Sequence, residues 1–361
     1  MTQPSPSPRN KQAHVISDLT LTAHRLGPGT KLPTAQDLAK KYEITLTTLD
    51  RALAKLETQG VIHRRQGSGI YVSQYLNQKR VGLVFGQNLF QFGSSAFCLL
   101  LLQHCEKRAR DQNERFTFFL LQPGEDQTSA ETIVNQDLSE SLKQGKLDGL
   151  LLCDLKDPAH RKWIREQEIQ TVALFNFQGS PAVIMDMKTM IDLAAGALAK
   201  KGCKTIGLLG ILRSHTPVVR QAATKYSLKL VDSWIGCPDD ENDPPFDRHE
   251  DMGIELMSHL LEENEGLPDG LIVTDDVLAR GACLALKKAG LVIGKDLQIA
   301  THANRGSLAL EYWQDSLIRV EFDPAEVVDK MFAMLEVLMS GKTLKKKRTT
   351  VIPTLHEPAT P

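Results

Sequence analysis

Between positions 34 and 67 the chain gathers hydroxyls, cations and one apolar tip whose spacing suits contact with a nucleic acid, not bond-making chemistry. Thr34, Gln36, Thr45, Thr47 and Thr48 can hydrogen-bond phosphate oxygens or base edges. Arg51, Lys55, Arg64 and Arg65 can neutralise phosphates, and Gly67 allows a close backbone approach. Leu46 either meets a thymine methyl or makes no base contact. No G-x-S-x-G, H-E-x-x-H or G-x-x-x-x-G-K-S occurs, and neither His215 nor His302 has a triad-like context, so no catalytic residue is expected.

The elements that would carry these side chains are legible. Thr34 reads as an N-cap with Asp37 at the third helical position, a variant of the capping box. Leu38 and Ala39 face inward, and residues 42–44 form the turn. Thr45 caps a second helix, whose apolar Leu49, Ala52, Leu53 and Leu56 follow the 3.6-residue period until Gly60 stops it. Residues 61–65 and 70–72 read as strands joined by Gln66-Gly67-Ser68-Gly69, residues that tolerate positive φ. Two helices, a tight turn and a basic hairpin make a winged helix-turn-helix, which places its second helix in the major groove. Arg64 and Arg65 on the hairpin would then lie against the DNA backbone or the minor groove.

Charge is divided along the chain. Residues 1–80 hold twelve Lys and Arg against five Asp and Glu, while the whole chain is −1. Only the first segment is built to neutralise phosphates. Residues 342–348 (KTLKKKR) form a local basic run that reads as a solvated loop before the last strand.

A length of 361 residues and 42% apolar content allow two or three domains with substantial cores. No apolar run is long enough to span a membrane, and the polar start MTQPSPSPRN lacks a signal segment, so a cytoplasmic protein is expected. The six cysteines stand at 98, 105, 153, 203, 237 and 283 without C-x-x-C spacing or a Cys/His cluster. They read as buried thiols; neither a disulfide framework, a metal site nor a cofactor is expected. The expected organisation is a disordered tail (1–11), a winged helix-turn-helix (12–73), a polar linker (74–80) and a larger body (81–361).

In the body, short apolar runs alternate with helical patterns: strands at 81–85, 116–121, 148–153, 171–175, 205–209, 228–235, 270–274 and 297–301, with amphipathic helices between them. Such alternation gives parallel sheets covered on both faces, and its restart near residue 189 suggests two similar doubly wound α/β lobes. Ligands of such lobes bind at the carboxyl ends of the strands, and a cleft between two lobes can close by a hinge. The candidate ligand residues are therefore Asn88, Phe90, Phe92, Asp154, Asn176, Asp275, Asp276, His302 and Asn304 in the loops after strands. Their amides, carboxylates and rings suit a polyhydroxylated molecule.

Residues 12–73 resemble the DNA-binding domain of the GntR family of bacterial regulators, through the run Gly27-Pro28-Gly29-Thr30-Lys31-Leu32-Pro33-Thr34 and the helices after it. The chain departs from that family at Ala35-Gln36, at Leu46, where an Arg is usual, and at Asp50-Arg51, so the family's usual operator sequence does not transfer. From residue 81 onward the chain resembles the effector domain of the LacI/GalR family, which shares the fold of periplasmic sugar-binding proteins. The resemblance rests on Lys146-Leu147-Asp148-Gly149-Leu150-Leu151, Val183-Ile184-Met185-Asp186, residues 203–210, Asp275-Asp276-Val277-Leu278-Ala279-Arg280-Gly281 and residues 290–296. It implies ligand contacts at Asp276, Arg220 and the loop after the first strand, with Asp186 either structural or in the cleft. His302-Ala303-Asn304 stands where the family often has an acidic pair.

The same pairing of modules resembles the arabinose-repressor-type regulators. It implies a homodimer on a double-stranded operator, responding to a small-molecule effector, a sugar or sugar derivative, that changes operator affinity and so controls repression of carbohydrate-use genes. Two alternatives keep the DNA binding: lobes that serve dimerisation only, or lobes that sense a non-sugar metabolite. A pyridoxal-phosphate enzyme fused to the same head would need a longer body, and a transport binding protein would lack the basic head.

Overall fold

The computed structural model of the protein describes residues 8–76, 78–86, 96–121, 135–155, 157–175, 179–238 and 248–358, residues 8–10 by backbone only. The head consists of α1 (Pro8–Leu26), α2 (Ala35–Lys41), α3 (Leu46–Thr58) and the hairpin β1 (Ile62–Arg65) and β2 (Gly69–Val72). Val15, Leu19 and Ala23 from α1, Leu38 from α2, and Leu49, Leu53 and Leu56 from α3 close one apolar core with Ile62 and Val72 of the hairpin. A single turn, with Glu43 in the left-handed region (φ 51°), joins α2 to α3. Tyr42 at that turn is fastened to α1: its hydroxyl donates to Asp18 (2.5 Å), which also accepts from Lys41 (3.1 Å). α1 begins at Pro8, ahead of residue 12, where the sequence reading starts the domain. Proline is favoured in a helix's first turn, and residues 9–14 contain no glycine or proline to stop propagation.

The body continues as β3 (Arg80–Phe85), α4 (Ala96–Asp111), β4 (Arg115–Leu120), α5 (Gln136–Lys143), β5 (Gly149–Cys153), α6 (Pro158–Glu166), β6 (Gln170–Leu174) and β7 (Ala182–Met185). Next come α7 (Met187–Lys200), β8 (Thr205–Leu209), α8 (Thr216–Lys225), β9 (Lys229–Gly236), α9 (His249–Glu263), β10 (Gly270–Val273), α10 (Asp276–Lys288) and β11 (Gln298–Asn304). It ends with β12 (Ile318–Phe322), α11 (Pro324–Met339), β13 (Arg348–Val351) and β14 (Thr354–His356). Two six-stranded sheets result, ordered β13-β7-β6-β5-β3-β4 and β14-β12-β11-β10-β8-β9. The second is parallel except at its edge, where β14 runs antiparallel to β12. These are the two parallel-sheet lobes that the strand–helix alternation predicts.

Beyond residue 301, where the alternation read from the sequence stops, the chain adds β12, α11, β13 and β14. Asp323 caps α11 by accepting from the Ala325 amide, Pro324 occupies its first turn, and Val327, Val328, Met331, Phe332 and Leu335 bury one face. β13 then pairs with β7 in the first sheet, and β14 joins the second. β11 is longer than expected, so His302 and Asn304 lie on the strand itself and not in a loop after it. The polar segment at 74–80 is held at its end. Gln78 donates to Asn113 (2.8 Å), and the Lys79 carbonyl accepts from the Arg115 amide (2.7 Å).

The second lobe is tightest where α9 crosses α10. A Cβ on Gly253 would overlap the Leu278 carbonyl, and one on Gly281 would overlap the Glu250 carbonyl. The two backbones therefore approach more closely than any side chain allows. All six cysteines are buried. Among the described residues, no helix is long and apolar enough to cross a membrane.

Candidate functional site

The candidate residues of the head lie at or on α2, α3 and the hairpin. Thr34 caps α2, its hydroxyl accepting from the Asp37 amide (3.2 Å) and donating to the Asp37 carboxylate (2.6 Å). Thr45 caps α3 in the same way through the Thr48 amide (3.2 Å), with the two threonine hydroxyls 2.9 Å apart. These hydroxyls fix the starts of α2 and α3. Gln36, Leu46, Thr47, Arg51, Lys55, Arg65 and Gly67 are exposed, and Thr48 is half-buried. Leu46 opens α3 with 53% of its surface exposed.

Arg65 and Gly67 belong to the wing, whose turn is made by Gly67 (φ 71°) and Gly69 (φ 124°). A groove of about 360 Å³ runs between the start of α3 and the wing, lined by Lys31, Leu46, Asp50, Arg64 and Arg65 among others. Lys31 escapes the sequence reading of the interface. It pairs with Tyr71 as an isolated bridge beside the hairpin, and its ammonium lies 5.7 Å from the Tyr71 ring. Only the fold brings a residue ahead of α2 to the wing.

Arg64 is placed differently from expectation. Its guanidinium is engaged by Glu57 (2.9 Å) and Asp50 (2.5 Å) of α3, and its backbone amide donates to Glu57 (3.0 Å). Those contacts raise its pKa, led by the Glu57 hydrogen bond. Arg64 ties the hairpin to α3, whereas Arg51 and Arg65 stand open to solvent.

In the body, Asn88, Phe90, Phe92 and Asn176 lie outside the described residues. Asp154 comes directly after β5 in the left-handed region (φ 50°), and a Cβ on Gly86 would overlap its carbonyl. The Asp186 carboxylate is committed to capping α7, accepting from the Thr189 amide (3.0 Å) and hydroxyl (2.7 Å). Arg220 is half exposed on α8, pairs with Asp232 (2.7 Å), and lines a surface depression with Arg213. Neither is gathered with the group at the carboxyl edge of the second sheet.

That group is Asp275, Asp276, His302 and Asn304, all buried. Asp275 caps α10, accepting from the Val277 (3.0 Å) and Leu278 (2.8 Å) amides, and meets His249 Nδ1 at 3.2 Å. Burial alone would raise its carboxyl, but the His249 and His302 imidazoles and the helix amide hold it below the usual range. For Asp276, burial and then the Asp275 charge push the carboxyl up. One Asp276 oxygen accepts from the Asn304 amide (3.1 Å). The other oxygen, the Asn304 Oδ1 and the His302 Nδ1 are buried without a protein hydrogen-bond partner. A cavity of about 220 Å³ adjoins the Asp276 and Asn304 side chains and is lined also by Ser307, Glu311, Gln314 and Arg319.

Ser307, Glu311, Gln314 and Arg319 come from the β11–β12 connection and from β12, elements beyond the reach of the sequence reading. One atom from each of Asp275, Asp276 and His302 lies within 4.8 Å of the others, a spacing that could hold a metal ion. Asp275 is already balanced by His249 and the helix amides, so the cavity offers acceptors chiefly from Asp276 and Asn304.

Residues 18–72 match the gntR family of bacterial regulatory proteins, and residues 195–359 match the periplasmic binding protein-like domain. The HTH-type transcriptional regulator GalR of Streptococcus thermophilus is 30% identical over 127 residues, 34% of this chain and 38% of that protein. The chain therefore spans well under two thirds of that relative. A regulatory protein of the LacI family from Chloroflexus aggregans superposes with a TM-score of 0.60 at 19% identity, over 76% of this chain and 96% of the other. The transcriptional regulator CelR in complex with cellobiose gives a TM-score of 0.61 at 16% identity, over 90% and 98%. At such identities the likeness is one of fold. The chain thus joins a head that matches the gntR family model to a body that matches the periplasmic binding protein-like domain and has the fold seen in LacI-family structures.

Proposed function

We propose that the protein is an effector-responsive transcription regulator, a repressor of carbohydrate-use genes acting as a homodimer on a pseudo-palindromic operator. α3 enters the major groove with Leu46, Thr47 and Arg51 foremost, and the wing with Arg65 lies along the backbone. A sugar or sugar derivative occupies the cavity beside Asp276 and Asn304, with His302 two residues before Asn304 on β11. Hydroxyl groups would supply the donors that the buried Asp276 and Asn304 oxygens lack, and leaving such acceptors unmet costs about 1–3 kcal/mol each. Glu311 and Gln314 on the cavity wall add selectivity. CelR, of similar fold, is bound to cellobiose, which favours a sugar here. An effector that binds one state of the body more tightly than the other shifts operator affinity by that difference.

The observation that carries this reading is the pairing of a basic winged head with a body whose polar cavity ends in unmet acceptors. A gel shift on DNA upstream of its own gene, with and without a panel of sugars, tests it. Binding that one sugar weakens or strengthens at least tenfold is the expected result. Failure to bind any duplex at low salt would reject the DNA-binding reading, and binding indifferent to every sugar would reject the effector.

A further inference from the structure

The head meets the first lobe through Arg80, the first residue of β3. Its Nε donates to the Asp148 carboxylate (3.1 Å), its Nη2 donates to the other oxygen of that group, and its backbone amide adds a third bond (2.8 Å). The Asp148 amide donates back to the Arg80 carbonyl (2.7 Å). The remaining terminal nitrogen, Nη1, donates to two carbonyls: Gly145 of the lobe (2.8 Å) and Gln59 of the head (2.9 Å). Gln59 is the C-cap of α3. A fixed cation therefore sits at the negative end of the recognition helix, where the helix dipole favours it. The planar guanidinium fork can serve a carboxylate and two carbonyls at once, which a lysine cannot. Arg80 and Asp148 are shielded enough, at 21% and 34% side-chain exposure, for this geometry to be held.

The neighbouring chain is held to the lobe as well, through Gln78 to Asn113 and Lys79 to Arg115. The head is thus attached at a stiff base and not through a slack tether. Asp148 directly precedes β5, and Asp154 comes directly after it.

We infer that Arg80 is a positioning residue that couples the body to the recognition helix: a shift of Asp148 moves the guanidinium, and with it the C-terminal end of α3. This rests on the DNA-binding reading proposed above and adds the route by which the body's state reaches the DNA. Arg80 itself touches no base.

The test uses the full chain and a duplex it selects from a random-sequence pool. Arg80→Gln and Asp148→Asn should each weaken binding to that duplex about tenfold, while binding to a scrambled duplex changes less than twofold. The double variant should be no weaker than the worse single one. Amide exchange over residues 55–60 should quicken at least tenfold in Arg80→Gln, with α1 unchanged. If Arg80→Gln fails to fold, Arg80→Lys takes its place, since it keeps the charge but cannot reach all three partners. Unchanged specific binding, equal loss on both duplexes, or additive losses in the double variant would each overturn the coupling. A wild-type chain that selects no duplex would instead end the DNA-binding reading, and this inference with it.

Discussion

The guanidinium of Arg64 on the hairpin lies 2.5 Å from the carboxylate of Asp50 on the recognition helix. An arginine that looks like a phosphate contact in the sequence is in the fold a brace between two elements, with Glu57 as its second partner. The pair is largely exposed, so its own worth in stability is below about 1 kcal/mol. Its value lies in neutralising two carboxylates close to where phosphates would pass.

Two arginines should therefore behave differently. Arg51→Ala should lower the slope of log affinity against log salt by about one, the loss of a single phosphate contact. Arg64→Ala should also weaken binding, by exposing Asp50 and Glu57 to the DNA, but Asp50→Asn added to it should restore most of the loss. Fluorescence anisotropy across a salt series measures both. If Asp50→Asn gives no recovery, Arg64 contacts DNA directly.

The adjacent carboxylates at the start of α10 should impose opposite pH dependences. Asp275 is held below the usual carboxylate value of 3.8, so its stabilisation is present above that value and lost as pH falls through its depressed pKa. Asp276 is held above 3.8, so its stabilisation is full below that value and lost as pH rises through its raised pKa. Asp275→Ala should thus be destabilised at neutral pH, by about 1 kcal/mol for the cap and more for the stranded His249. The deficit should shrink in acid. Asp276→Asn should be at least as stable as the parent at neutral pH and lose that advantage near pH 3. Thermal unfolding from pH 3 to 8 decides it; an Asp276→Asn deficit at neutral pH would contradict the assigned direction.

Gly253→Ala and Gly281→Ala should each cost about 1–3 kcal/mol, because the added methyl meets backbone carbonyls that cannot turn away. Gly266→Ala, with open space around it, serves as the control and should be nearly neutral. Denaturant midpoints provide the comparison, and equal midpoints for all three would show that α9 and α10 can part at little cost.

The thiols should be unreactive in the native state. Every cysteine is buried, and burial pushes the Cys283 thiol up to about 12, where almost no thiolate exists at neutral pH. Labelling by a maleimide at pH 7 should proceed at the rate of unfolding and reach all six sites only in denaturant. Rapid uptake of one equivalent by the folded chain would locate an opening that the buried positions do not suggest.

The head was legible because its signals are local. Thr34, Thr45 and Gly60 mark helix ends through bonds made within three or four residues, and the apolar spacing of Leu49, Ala52, Leu53 and Leu56 names the buried face. The strands of the two lobes were legible as short apolar runs. What escaped depends on distant parts of the chain. Arg64 is indistinguishable from Arg65 until the hairpin folds over Asp50. Arg220 and Asp186 matched a family pattern, but the fold gives them other partners, Asp232 and Thr189. His249, which balances Asp275, stands 26 positions away with no motif around it. The extension of β11 to Asn304 is fixed by pairing with β12, a strand the alternation did not reveal.

The closing stretch of the chain gives β13 to one sheet and β14 to the other. Neither lobe is consequently a continuous piece of the polypeptide, and no single cut yields one of them whole. Clipping the last dozen or so residues would strip an outer ribbon from each, so a tag or a protease acting at that end reaches both halves at once.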